Sequence, residues 1–202
     1  MIGLFGGSFN PIHLGHLALV DHVWKQLKLD KIWLIPCGIP VHKPKLFFSD
    51  TARLKLVETA IQDKPYLEVD KREIKNTGKH YTIDTLKQIK TEHPEQTLCF
   101  IMGMDSFAAI KTWKNWRHLT DYAHLIVAAR PNYQTDPELN KYFNITKRRS
   151  DLYKQPANCV YLVDDINFDI SSSDIISRLL CGEDISPLVG KTAASAIKTF
   201  VK

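Results

Sequence analysis

The chain has little cysteine and no long apolar run. Four cysteines, Cys37, Cys99, Cys159 and Cys181, stand among 202 residues, and none forms a C-x-x-C pair. Zinc-ribbon and thioredoxin-type readings therefore have no support, and reduced thiols in a cytoplasm are the simplest account. No apolar stretch approaches the ~20 residues of a membrane helix, and no charged-then-apolar leader opens the chain. A cytoplasmic protein with no membrane partner is expected. Repeats and low-complexity tracts are absent as well. The net charge of +5 suits an anionic ligand but is too modest to argue for nucleic acid. The cluster Lys147-Arg148-Arg149 reads as a solvated loop, with RNA contact as the competing reading. What remains is ordinary globular composition, 44% hydrophobic and 24% charged, enough for a packed core. The length fits a single domain over residues 1–202, with a helical C-terminal part from about residue 171.

Apolar runs alternate with amphipathic ones. Strands are expected at Ile2–Phe5, Lys31–Pro36, Tyr66–Val69, Leu98–Gly103, His124–Ala129 and Val160–Val163. Helices are expected at His16–Leu27, from a cap at Ser49 or Asp50 to about Gln62, at Thr82–Lys90, at Ser173–Leu180, and at Pro187–Val201. This alternation predicts an α/β fold, a Rossmann-like doubly wound parallel sheet with right-handed crossovers. Residues 131–157 are polar, lack a clear period, and read as an insertion or loop.

The richest segment is Gly6-Gly7-Ser8-Phe9-Asn10-Pro11-Ile12-His13-Leu14-Gly15-His16, between the first strand and the first helix. Strand, glycine turn and helix N-terminus together favour an anion. His13 and His16, three apart at a helix start, share a face and add donors there. Gly15 removes bulk between them. Capping or packing at a helix end is the alternative for the two histidines. Elsewhere, His42-Lys43 lies in a proline-bounded loop after the second strand, where open α/β sheets bind ligands; an exposed loop charge is the alternative. Gly103-Met104-Asp105-Ser106 follows an apolar strand. Asp105 suits ribose hydroxyls there, and Asp105 or Ser106 would equally cap the next helix. Trp113 and Trp116 offer aromatic faces, although packing is the usual fate of tryptophan.

The glycine–histidine segment resembles the nucleotidylyltransferase superfamily signature G-[ST]-F-[DN]-P-x-H-x-G-H, which binds the triphosphate of ATP or CTP. Further along come Ile35-Pro36, Ile39-Pro40-Val41-His42-Lys43, Tyr81-Thr82, Gly103-Met104-Asp105-Ser106, Thr112-Trp113, His124-Leu125-Ile126-Val127, Arg130-Pro131 and Ile170-Ser171-Ser172-Ser173. They stand in the order seen in bacterial nicotinate-nucleotide adenylyltransferases, and the resemblance covers nearly the whole chain. It implies the HxGH nucleotidylyltransferase fold and transfer of AMP from ATP to nicotinate mononucleotide, giving deamido-NAD and pyrophosphate in NAD biosynthesis.

The resemblance also implies roles. His16 would donate to the α-phosphate in the transition state, with His13 beside it. Gly6, Gly7, Ser8, Phe9, Gly103, Asp105, Arg130, Ile170, Ser171, Ser172 and Ser173 would complete the ATP site. His42, Lys43, Tyr81, Thr82, Asp105 and Trp113 would hold the mononucleotide, with Trp113 against the nicotinate ring and the helix start at Tyr81-Thr82 receiving its carboxylate. The attacking 5′-phosphate, with a second pKa near ~6, is mostly a dianion at neutral pH and needs no general base. Direct in-line attack without a covalent intermediate is expected, helped by positioning and charge stabilisation. Mg²⁺ would ride on the ATP phosphates, because no Asp/Glu cluster suggests a protein site. One residue departs from the family pattern: Ile176 stands where that pattern has arginine. Arg178 lies about 200° further around the helix. A nicotinamide-mononucleotide or other adenylyltransferase, and a non-catalytic nucleotide sensor, stay open as alternatives, as does a homo-oligomer.

Overall fold

The computed structural model describes residues 1–38, 46–76, 78–128, 136–163 and 170–201. Along the chain run β1 (Ile2–Gly7), α1 (Leu14–Leu27), β2 (Lys31–Pro36), α2 (Asp50–Ile61), β3 (Leu67–Val69), α3 (Arg72–Lys75), α4 (Thr82–Glu92), β4 (Leu98–Gly103), α5 (Met104–Ala108), β5 (His124–Ala128), β6 (Asn144–Thr146), β7 (Cys159–Val163), α6 (Ser172–Leu180), α7 (Ser186–Val189) and α8 (Lys191–Phe200). Short 3₁₀ turns lie between α5 and β5 and on both sides of β6. The strands form a seven-stranded sheet in the order β3-β2-β1-β4-β5-β7-β6. This is the Rossmann-like, doubly wound arrangement, with the reversal of strand order between β1 and β4.

The chain divides into two compact units. The first holds Met1–Gly6, His22–Ile32 and Tyr81–Asn167. Here β1 pairs in parallel with β4, β4 with β5, β5 with β7, and β7 with β6. Residues 98–102 of β4 and all of β5 are buried, as apolar runs covered on both faces must be. The register sets Gly103 beside Ala128 and Ala128 beside Val163. The carboxyl ends of these three strands therefore share one edge. At the opposite end of β5, His124 is fully buried. Its Nδ1 accepts from the Cys159 N–H at 3.2 Å, and its Nε2 donates to the Gln155 carbonyl at 3.0 Å. These partners suit the neutral ring, and burial pushes its pKa down.

The second unit holds Gly7–Asp21, Trp33–His80 and Phe168–Lys202. Ser49 caps α2, its hydroxyl accepting from the Ala52 N–H at 3.2 Å. Helix α2 buries Ala52, Arg53, Leu56, Val57 and Ile61 and packs against α8.

Several boundaries differ from the expectations. The first helix begins at Leu14, not His16, because His13 serves as its cap. The expected helix Pro187–Val201 is two helices, α7 and α8, parted by Gly190 at φ 87°, a left-handed conformation that glycine adopts without steric cost. Residues 131–157 include a seventh strand, β6, which three residues could not announce. Within them, Asp151 accepts from the Thr146 hydroxyl at 2.6 Å and from Lys154 at 2.7 Å. The Lys154 ammonium and the Thr146 hydroxyl hold the Asp151 carboxyl down at about 2.

Candidate active site

In the first unit, β1 runs to Gly6; the second unit opens with Gly7. The turn from Gly7 to Pro11 is tightly determined. Phe9 has φ 43°, uncommon for a bulky residue, and its ring is buried over Gly7. A Cβ at Gly7 would stand 3.1 Å from that ring, closer than ordinary contact, so a side chain there would require the Phe9 ring to shift. The Asn10 side-chain oxygen accepts from the Phe48 N–H at 2.9 Å. Arg53 donates to the Ser8 carbonyl at 2.6 Å. Two points of the turn are thus held from the N-terminal end of α2.

The histidines sit at the start of α1. The Leu17 N–H donates to the His13 carbonyl at 3.2 Å, which makes His13 the N-cap. The His16 N–H donates to His13 Nδ1 at 3.3 Å, and the His13 N–H donates to His16 Nδ1 at 3.3 Å. This is the reciprocal geometry of a capping box, made by two imidazoles. The rings stack with centroids 3.6 Å apart, and the Phe9 ring stands edge-on to His16 at 5.3 Å. Because each Nδ1 accepts, each neutral ring carries its hydrogen on Nε2. Two Nε2–H donors therefore stand at the positive end of a helix dipole.

The Ile170–Ser173 segment meets this turn within the same unit. The Ser172 hydroxyl donates to the Pro11 carbonyl at 3.1 Å. Ser171 caps α6, accepting from the Asp174 N–H at 3.1 Å, and Ser173 is exposed in its first turn. Further along α6, Ile176 is half-buried. Arg178 pairs with Asp174 of its own helix at 2.9 Å and with Glu183 beyond the helix end at 3.6 Å.

In the first unit, β4 delivers Gly103, which caps α5 by backbone alone. The cap is thus Gly103, and neither Asp105 nor Ser106 as that alternative required. The Asp105 carboxylate folds back over Gly103, so that a Cβ at Gly103 would collide with its Oδ1. Trp113 follows the 3₁₀ turn Ile110–Thr112, is half-buried, and meets the edge of Phe100 of β4 at 6.3 Å. The next residue, Lys114, donates to Asp84 at 2.8 Å and lies 4.6 Å from the centre of the Tyr81 ring. Tyr81 is the N-cap of α4 and offers no side-chain cap; Thr82 begins the helix. Lys114 therefore draws together the two segments, around Trp113 and around Tyr81-Thr82, that the family resemblance assigns to the mononucleotide. Trp116 packs instead on Tyr142 at 5.0 Å and on buried Phe143 at 5.6 Å.

His42, Lys43 and Arg130 lie outside the described residues. Sequence reasoning missed Arg53, Asp84 and Lys114. A signal for Arg53 exists: it stands three, four and eight residues before Leu56, Val57 and Ile61 on the apolar stripe of α2, where a charge needs partners. Among the described residues no cluster of three or more His, Cys, Asp or Glu could hold a metal ion, and no helix is long and apolar enough to cross a membrane.

A glycine turn and an H-x-G-H helix start, on the first βα connection of a doubly wound sheet, define a nucleotidyltransferase-type fold. The family model described as cytidylyltransferase-like matches residues 4–178, and the chain belongs to that family. Among curated relatives, a probable nicotinate-nucleotide adenylyltransferase of Aeromonas salmonicida is 38% identical over 202 residues, covering 98% of this chain and 94% of the relative. One from Vesicomyosocius okutanii is 37% identical over 190 residues, covering 94% and 90%. The nicotinic acid mononucleotide adenylyltransferase of Plasmodium falciparum shares the fold. Its structure complexed with NaAD is 20% identical, with a TM-score of 0.76 and coverage of 98% of this chain and 95% of that one. Its structure complexed with APC has a TM-score of 0.75.

Proposed function

We propose that the protein is a nicotinate-nucleotide adenylyltransferase, transferring AMP from ATP to nicotinate mononucleotide and releasing pyrophosphate. The observation that carries the chemistry is the mutual capping of His13 and His16. It supplies two hydrogen-bond donors at a helix N-terminus without requiring either ring to act as a base. The 5′-phosphate of the mononucleotide attacks the α-phosphorus of ATP, and the bond to the bridging oxygen of pyrophosphate breaks. His16 Nε2–H donates to the α-phosphate as charge shifts, and His13 supports the neighbouring phosphates. The turn Gly7–Phe9 and the start of α6, with Ser172 on the Pro11 carbonyl, serve the triphosphate. Gly6, Gly103 and Asp105 serve the adenylate side, and Asp105 also suits a ribose. Trp113 takes the nicotinate ring, and the α4 start at Tyr81-Thr82 takes its carboxylate. His42, Lys43 and Arg130 are assigned by resemblance alone. Mg²⁺ would be carried by the ATP phosphates and would supply charge neutralisation there, and the whole chain works as one catalytic domain.

The test offers Mg-ATP with nicotinate mononucleotide, nicotinamide mononucleotide and phosphopantetheine separately. The highest kcat/KM is expected for the nicotinate substrate. Pyrophosphate release no greater than that of a His16→Ala control with every acceptor would leave a nucleotide sensor as the better reading. Ile176 in place of the family arginine is what favours that second reading.

A further inference from the structure

We propose that Arg53 is a positioning residue for the triphosphate: by holding the Ser8 carbonyl it turns the Ser8–Phe9 peptide so that the Phe9 N–H faces a bound phosphate. The ligand named here rests on the adenylyl-transfer reading; the geometry does not.

Arg53 has 0% exposure, which is costly for a guanidinium unless its hydrogens are matched. Nη1 donates to the Ser8 carbonyl at 2.6 Å. Nη2 donates to the Cys37 carbonyl at 2.5 Å and to Asp50 Oδ1 at 2.8 Å. Nε makes no hydrogen bond among the described residues. Asp50, the charged partner, is half exposed at 51%, so much of the balancing negative potential comes from carbonyl dipoles drawn toward the guanidinium.

Those carbonyls belong to the motif turn and to the chain leaving β2. The Cys37 N–H also donates to the Gly7 carbonyl at 2.9 Å. Three bonds therefore tie the turn to the end of β2, two of them through one guanidinium. A trans peptide is planar, with its C=O and N–H pointing in opposite directions. Pulling the Ser8 carbonyl toward α2 turns the Phe9 N–H away from α2. The same residue is held at φ 43°, a conformation that persists only where its surroundings over-determine it. Filling the core does not call for a guanidinium, since well-packed apolar side chains often replace buried charges without loss. The fork of Arg53 is explained by what it orients.

Arg53→Lys keeps the charge and loses the fork; Arg53→Gln loses both the charge and the fork. For both, the Kd of Mg-ATP is expected to rise at least tenfold, with the KM for nicotinate mononucleotide within threefold of wild type and cooperative melting retained. A purely structural role would lower the melting temperature and leave the Kd of the folded protein unchanged. A folded variant binding Mg-ATP within threefold of wild type overturns the proposal. Should neither variant fold, the wild-type protein supplies the test: the Phe9 amide resonance is expected to shift on saturation with Mg-ATP, and an unmoved resonance overturns the proposal. Adenylyl transfer with an unmoved Phe9 amide sinks this inference alone. ATP binding that shifts Phe9 without transfer to any mononucleotide supports it and sinks the functional reading instead.

Discussion

His13 and His16 cap each other: each imidazole Nδ1 accepts the backbone N–H of the other residue at 3.3 Å. Each side chain thereby meets a backbone N–H at the start of α1, the His16 N–H also donating to the His13 carbonyl at 2.9 Å, and the neutral rings carry their hydrogens on Nε2. The helix start and the proposed phosphate donors are thus one structure.

The two functions of this pair separate by substitution. His16→Ala is expected to lower turnover at least a hundredfold in a folded protein; a loss under tenfold rejects its role. His13→Asn retains a good N-cap, so urea unfolding should stay within about 1 kcal/mol of wild type while turnover falls. Equal unfolding losses for His13→Asn and His13→Ala would show that the ring is not the cap.

Trp113 and Trp116 are expected to part company. Trp113→Ala should raise the KM for nicotinate mononucleotide about tenfold and leave that for ATP within about twofold, in line with ~0.5–2 kcal/mol for a cation over an indole plus lost stacking. Trp116→Ala should instead lower the melting temperature, because Trp116 packs on Tyr142 and Phe143. Equal KM effects on both substrates in Trp113→Ala would refute the stacking assignment.

Asp84 lies in the first turn of α4, where its charge repels a carboxylate bound at that helix start; Lys114, 2.8 Å away, offsets it. Lys114→Met is expected to lower kcat/KM for the nicotinate substrate by about two- to fivefold, the scale of one charge at a helix terminus, and to spare the nicotinamide substrate. Asp84→Asn should act in the opposite direction. Both effects should shrink in 0.5 M salt, where exposed charges are screened. Parallel changes for acid and amide substrates would contradict this account.

Acid should weaken the fold through His124, whose pKa burial holds below its ordinary value. Below about pH 6.5 the unfolded chain takes up a proton there that the native ring refuses. The contribution is therefore complete above that pH and is lost as pH falls toward the lower native value, by at most about 1.4 kcal/mol per pH unit. Urea midpoints at pH 7.5, 6.5 and 5.5 should fall more steeply for wild type than for His124→Gln. Identical slopes would show that this ring does not couple stability to pH.

Much of the fold was written locally. The runs Lys31–Pro36 and Leu98–Gly103 read as strands from their apolar residues alone and appear with those boundaries. The glycine–histidine segment marked a turn into a helix start, which the structure has there, because glycine and helix-start chemistry act over a few residues. The start of α1 was misplaced because imidazoles are not the usual residues of a capping box. The strand β6 escaped notice because it exists through its pairing with β7.

The sequence by itself determined an alternating α/β chain, the glycine turn after its first strand, and the histidines at the start of its first helix. Only the tertiary structure decided that Arg53 joins the Ser8 and Cys37 carbonyls, that Ser172 reaches Pro11, and that Lys114 lies between Asp84 and Tyr81. Periodicity reports how a residue relates to its neighbours along the chain. Which carbonyl a buried guanidinium meets depends on how distant segments pack, and no local pattern encodes it.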